Sequence, residues 1–111
     1  MAASALIPAA DANLAARFQE LTSLWRSEIR FYSDTPRIIL HPAYQQIIGM
    51  GREALPLILA RVERGEAHWS WALISITGEG ASPIGAEGDL DATRTAWLGW
   101  ARQRGITIAD G

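Results

Sequence analysis

The sequence predicts an all-α protein of about five helices. Two observations carry that expectation. Apolar residues recur three or four positions apart in successive segments, and no segment shows the strong alternation of a half-buried strand. Glycine and proline fall between the segments, where connections belong. A chain of 111 residues makes one domain, and 49% apolar with 20% charged residues is a globular composition. Residues 1–10 read as a flexible lead-in, 11–105 as a single helical domain and 106–111 as a short C-terminal tail.

The first helix is long. Leu14, Phe18, Leu21, Trp25, Ile29 and Tyr32 fall on one face over about six turns, and Asp11 or Asn13 can cap its start. Ser33-Asp34-Thr35-Pro36 stops it, because the residue before proline avoids the helical region. Arg37-Ile38-Ile39-Leu40 is then a short extended link or the start of packing. A second, short helix opens at Pro42, with His41 just before it; Ile47 and Ile48 bury, and Gly49 or Gly51 ends it.

The third helix runs from Arg52 to Arg64, with Leu55, Ile58, Leu59 and Val62 inward. Pro56 sits early in it, where a missing N–H costs least, and Gly65 closes it. The fourth begins at Glu66. It turns Trp69, Ala72, Leu73 and Ile76 to one side and stops at Gly78. Residues 79–88 are a loop by composition. Asp89 caps the fifth helix, whose inner face is Leu90, Thr93, Trp97, Trp100 and Ala101, and Gly105 ends it.

The centre of the chain resembles one unit of a HEAT-like helical repeat. The residues that carry the likeness are Ala54-Leu55-Pro56, the Ala72-Leu73 pair with Ile76-Thr77-Gly78, and the later Trp97 and Trp100. The likeness covers residues 49–104. HEAT-like proteins of bacteria are similar in ending on an Ala-Leu-x-x-Ile-Thr-Gly element followed by a Trp-x-x-Trp helix. A terminal repeat lacks a neighbour on its outer face, so it takes a capping helix. The resemblance implies a right-handed stack of helical hairpins and a scaffold for protein contacts, with no catalytic residue. The chain departs from the pattern in having one clear unit where arrays have several, so the long first helix must supply the missing packing.

Composition excludes much chemistry. The absence of cysteine removes disulfides, thiolate ligands and thiol nucleophiles. All ten basic residues are arginine, which removes Schiff-base lysines and P-loops and reads most simply as codon usage. A net charge of −2 argues against nucleic acid or an anionic membrane as a general partner. No apolar run is long enough to span a bilayer, and no basic segment precedes the apolar start as in a signal peptide. A cytoplasmic bacterial protein is the expectation, with no cofactor.

Few residues stand out as chemical candidates. His41 and His68 lie in no metal-ligand spacing; with Asp34, Glu53 or Glu66 they offer an alternative reading as a small metal-binding or hydrolytic domain. Each histidine is more simply a helix-start residue. Ser70 and Ser75 lack a nucleophile-elbow context. Arg26, Arg30 and Arg37, beside Phe31 and Tyr32, form the best basic cluster. They either pair with Glu20, Glu28 and Asp34 on a solvated face, the simpler expectation, or meet an acidic partner.

The five tryptophans are the main anomaly. Trp25, Trp69, Trp97 and Trp100 lie on inward stripes. Trp71, about 200° round a helix from Trp69, points the other way. It then meets a partner, or flanking helices cover it. Tyr44 is read in the same way. The expected function is therefore a non-catalytic interaction module that contacts a protein through Trp71, Tyr44, Arg26, Arg30 and Arg37. One form of it is a neutraliser of a toxin or effector, and self-association is another use of the same surface.

Overall fold

The computed structural model describes residues 9–79 and 90–109. Six α-helices and one 3₁₀ turn make up the regular structure among these residues, and there is no strand. The helices are α1 (Ala9–Ile29), α2 (Thr35–Ile39), α3 (Pro42–Gly49), α4 (Leu55–Glu63), α5 (Ser70–Thr77) and α6 (Leu90–Gln103). The all-α class is as the periodicity requires. The loop expected over 79–88 and the Asp89 cap fall outside the described residues, apart from Glu79.

α1 is already helical at Ala9, ahead of the caps expected at Asp11 and Asn13. Ala9, Ala10 and Ala12 are strong helix formers and carry the helix past those positions. Phe18, Leu21, Trp25 and Ile29 are buried along it, as their spacing requires. It ends at Ile29 rather than Tyr32, where a turn forms from the Tyr32 N–H to the Ile29 carbonyl (2.8 Å).

The expected link at 37–40 is largely helical. α1 has already ended at Ile29, and Thr35 and Pro36, expected to stop it, instead open α2, where a proline in the first turn forfeits no hydrogen bond. α2 buries Ile38, whose carbonyl accepts the Trp25 indole N–H (2.9 Å). α3 follows with Pro42 in its first turn and His41 as N-cap. Gly51, at φ +73°, turns the chain into the 3₁₀ turn Gly51–Ala54, which leads directly into α4. Leu55, Ile58, Leu59 and Val62 are buried as expected.

The fourth expected helix starts four residues late. Glu66 to Trp69 are not helical, and α5 begins at Ser70. Gly78, left-handed at φ +77°, closes α5 by donating its N–H to the Ile74 carbonyl (2.7 Å). On α6, Trp97, Trp100 and Ala101 are buried, Thr93 is half-buried, and Leu90 is exposed instead of facing inward. Leu90 is the first described residue of that helix, about two turns before its first buried residue, Trp97. Residues 106–109 fold back over α4. Ile106 and Ile108 pack on the core, and the Ala109 N–H reaches the Pro56 carbonyl (3.1 Å).

Alternate helices pack on each other: α1 on α3, α3 on α5, and α4 on α6. No helix among the described residues is long and apolar enough to cross a membrane.

Candidate functional site

The aromatic residues divide into a buried quartet and an exposed remainder. Phe18, Trp25, Tyr44 and Trp69 form the quartet. Trp25 lies 4.9 Å from both Tyr44 and Trp69, Trp69 stacks on Phe18 at 5.8 Å, and Tyr44 on Trp69 at 5.9 Å. Such contacts add about 0.5–1.5 kcal/mol per pair to the area buried.

Tyr44 therefore corrects the expectation that it is a contact residue. It is 0% exposed, because the 66–69 segment and α5 close over α3. Its hydroxyl donates to the His68 carbonyl (2.7 Å) and accepts the Ala72 N–H (2.9 Å). Burial pushes its phenol well above the ordinary tyrosine range, and the Ala72 hydrogen bond opposes this only in part. Tyr44 is a neutral bridge inside the core.

The same bridge explains why α5 starts late. His68 sits at φ +74°, the only non-glycine with positive φ among the described residues. That geometry costs an L-residue about 1 kcal/mol. It turns the His68 carbonyl onto Tyr44 while Trp69 enters the quartet. Glu66 anchors the segment from the other side. Its carboxylate takes Arg26 (2.9 Å), Arg61 (3.2 Å) and the Trp69 indole N–H (3.2 Å). Arg26 also donates to the Ala67 carbonyl (3.1 Å) and lies over the Trp25 ring at 4.9 Å. Arg26 was expected on the contact surface, but its guanidinium braces the 66–69 segment.

The two histidines do not converge on a centre. His41 is buried and both ring nitrogens are engaged: Nδ1 accepts the Ala43 N–H (3.0 Å), which caps α3, and Nε2 meets Glu28 at 2.5 Å. Nδ1 must be unprotonated to accept, so Nε2 carries the proton toward Glu28. His68 is exposed, and its imidazole is held below the ordinary range, first by desolvation and then by the Arg26 charge. No three His, Asp or Glu side chains among the described residues are grouped to hold a metal ion. A shallow cleft of about 230 Å³, including its open mouth, runs beside His68 and is lined in part by Glu66, Ser70, Arg94 and Trp97. The Ser70 hydroxyl there accepts the Trp97 indole N–H (3.0 Å), and no histidine bonds to it among the described residues.

Arg30 and Arg37 remain at the surface. Arg30 lies over Phe31 at 4.9 Å, and Arg37 over half-buried Tyr32 at 4.7 Å. Arg37 is only loosely paired, 4.0 Å from Asp34. Phe31 is 77% exposed, the most open large apolar side chain described. Two more sit close by in the chain: Leu24, one turn before Glu28, and Leu40, next to the His41 that Glu28 holds. Phe31 lies off the buried stripe of the first helix, as the spacing places it beside the arginine cluster, but the stacking of Arg30 on it is not visible in spacing alone.

Trp71 is 50% exposed. With Ser75 it forms the open stripe of α5, while Ala72 and Leu73 are buried. Comparison with protein-family models, curated proteins and solved structures found no match.

Proposed function

We propose that this chain is a non-catalytic protein-interaction module of HEAT-like build. It docks an acidic protein partner on the strip formed by Arg30, Phe31, Arg37 and Leu40. The observation that carries the reading is Phe31, open to solvent beneath an arginine. An exposed aromatic supplies apolar area at low entropic cost, and an arginine stacked on it is held ready for a carboxylate. The packing of α1 on α3 on α5, and of α4 on α6, supports the HEAT-like part, because stacked helical repeats pack element on like element. Neutralisation of a toxin or effector in a bacterial cytoplasm is the specific form of this reading. There the module covers a functional surface and needs no catalytic group of its own.

The test is affinity purification of the tagged full chain from its native cells, in parallel with Phe31→Ser and the double variant Arg30→Glu, Arg37→Glu. The expected result is a protein that co-purifies with the wild type and is lost from both variants, with circular dichroism unchanged. Retention of the same partner by both variants refutes the strip.

A further inference from the structure

Between α1 and α4 lies an open groove of about 460 Å³, including its mouth. One wall is the α1 stripe of Ala15, Phe18 and Gln19. The facing wall comes from α4, where Ala60, Arg61 and Arg64 fall on one stripe. Phe18 and Leu57 make the interior apolar. Alanine at 15, 60 and 109 keeps it open, where longer side chains would fill it. The groove carries one sign of charge. Arg61 and Arg64 line it and no aspartate or glutamate does, although the whole chain has a net charge of −2.

We infer that this groove binds a small carboxylate with an apolar body. The side-chain groups that line it offer donors. Gln19 spends its amide oxygen on Arg61 (2.6 Å), so its N–H groups are what it presents to a ligand. Arg61 lies over the Phe18 ring, 5.8 Å from its centroid, which sets positive charge directly beside apolar surface. That charge is not cancelled. Arg61 and Arg26 share the single carboxylate of Glu66 (3.2 and 2.9 Å), which leaves the three groups with a net positive charge. Arg64 adds a second guanidinium to the lining. A carboxylate matches guanidinium and amide donors in charge and geometry. An apolar body behind it covers Phe18 and Leu57, which a wholly polar anion would leave wet. An apolar concavity with a few fixed polar groups is the usual build of a small-molecule site.

The groove shares no residue with the strip of Arg30, Phe31, Arg37 and Leu40, so the two stand or fall separately. The test is an NMR titration of the isotope-labelled full chain with phenylacetate and with octanoate, at about pH 7, where both are ionised. Acetate, which lacks the apolar body, and the primary amides of the two acids, which lack the charge, are the controls. The expected result is saturable shifts at the amides of Ala15, Gln19, Ala60 and Arg64 with at least one of the acids. Acetate and the matching amide should bind about 10-fold more weakly or worse. Two variants follow: Ala15→Leu fills the groove from an exposed helix position, and Arg64→Gln removes a charge. Each should raise the dissociation constant about 10-fold or more, with circular dichroism unchanged. No saturable shift at these amides with either acid up to about 20 mM overturns the inference. So does acetate or the neutral amide binding as well as the acid, or binding that neither variant weakens. Phe31→Ser should bind the acid as the wild type does, whether or not it loses the protein partner.

Discussion

The buried quartet and the exposed aromatics are built from the same residue types and stand in opposite surroundings. Trp69 and Trp71 are two positions apart, yet Trp69 is 1% exposed and Trp71 is 50% exposed. The polar handles differ too. The Trp25 and Trp69 indoles and the Tyr44 hydroxyl all have partners inside the chain. Phe31 brings no such handle and is backed only by Arg30. An aromatic whose polar end is satisfied internally serves the fold. Phe31, under Arg30 at the surface, is the one proposed for recognition.

The contrast breaks most visibly in stability. Trp69→Ala should cost about 3–5 kcal/mol, read by urea unfolding, because it removes the ring that Phe18, Trp25 and Tyr44 all contact. Trp71→Ala should stay within about 1 kcal/mol of wild type. Equal costs for the two would erase the distinction.

Tyr44→Phe should come next, at about 1–3 kcal/mol. It keeps the ring but strands the His68 carbonyl and the Ala72 N–H. Amide hydrogen exchange should speed up selectively at Ala72, and a neutral result would mean that the hydroxyl does not hold the 66–69 segment.

His68→Gly should raise stability by about 1 kcal/mol, since glycine adopts φ +74° without strain. His68 also sharpens the comparison through pH. Its folded pKa lies below the unfolded value of 6.5, so the unfolded chain takes up the proton first. Its contribution is complete above pH 6.5 and is lost as pH falls through the folded pKa. His68→Asn should flatten that part of the stability profile, and an unchanged slope would show that the ring is solvated like a free histidine.

Much of the core was legible in the sequence because helical spacing reports burial directly, as at Phe18, Leu21, Trp25, Ile29 and Leu59. What escaped depends on neighbours distant in the chain. Pro36 was read as the stop of the first helix, which ends at Ile29, and not as part of the start of α2. Tyr44 was placed outside because nothing within α3 shows that the 66–69 segment closes over it. Arg26 was expected to pair with nearby Glu20, Glu28 or Asp34, or to meet a partner, because Glu66 lies 40 positions away. The openness of Trp71 was argued from its angle to Trp69 on a single helix. Trp69 in fact precedes α5, so its position is set by the turn at His68, and the openness of Trp71 follows from Ala72 and Leu73 being the buried side.

The central claim is that Phe31, beneath Arg30, is a recognition surface. Site-specific photo-crosslinking in living cells tests it most directly, with p-benzoylphenylalanine at Phe31 and, as a control, at the exposed Gln103. The account predicts a discrete protein adduct from position 31 alone, abolished when Arg30 and Arg37 are both changed to Glu. No adduct at position 31, or the same adducts from position 103, would contradict it.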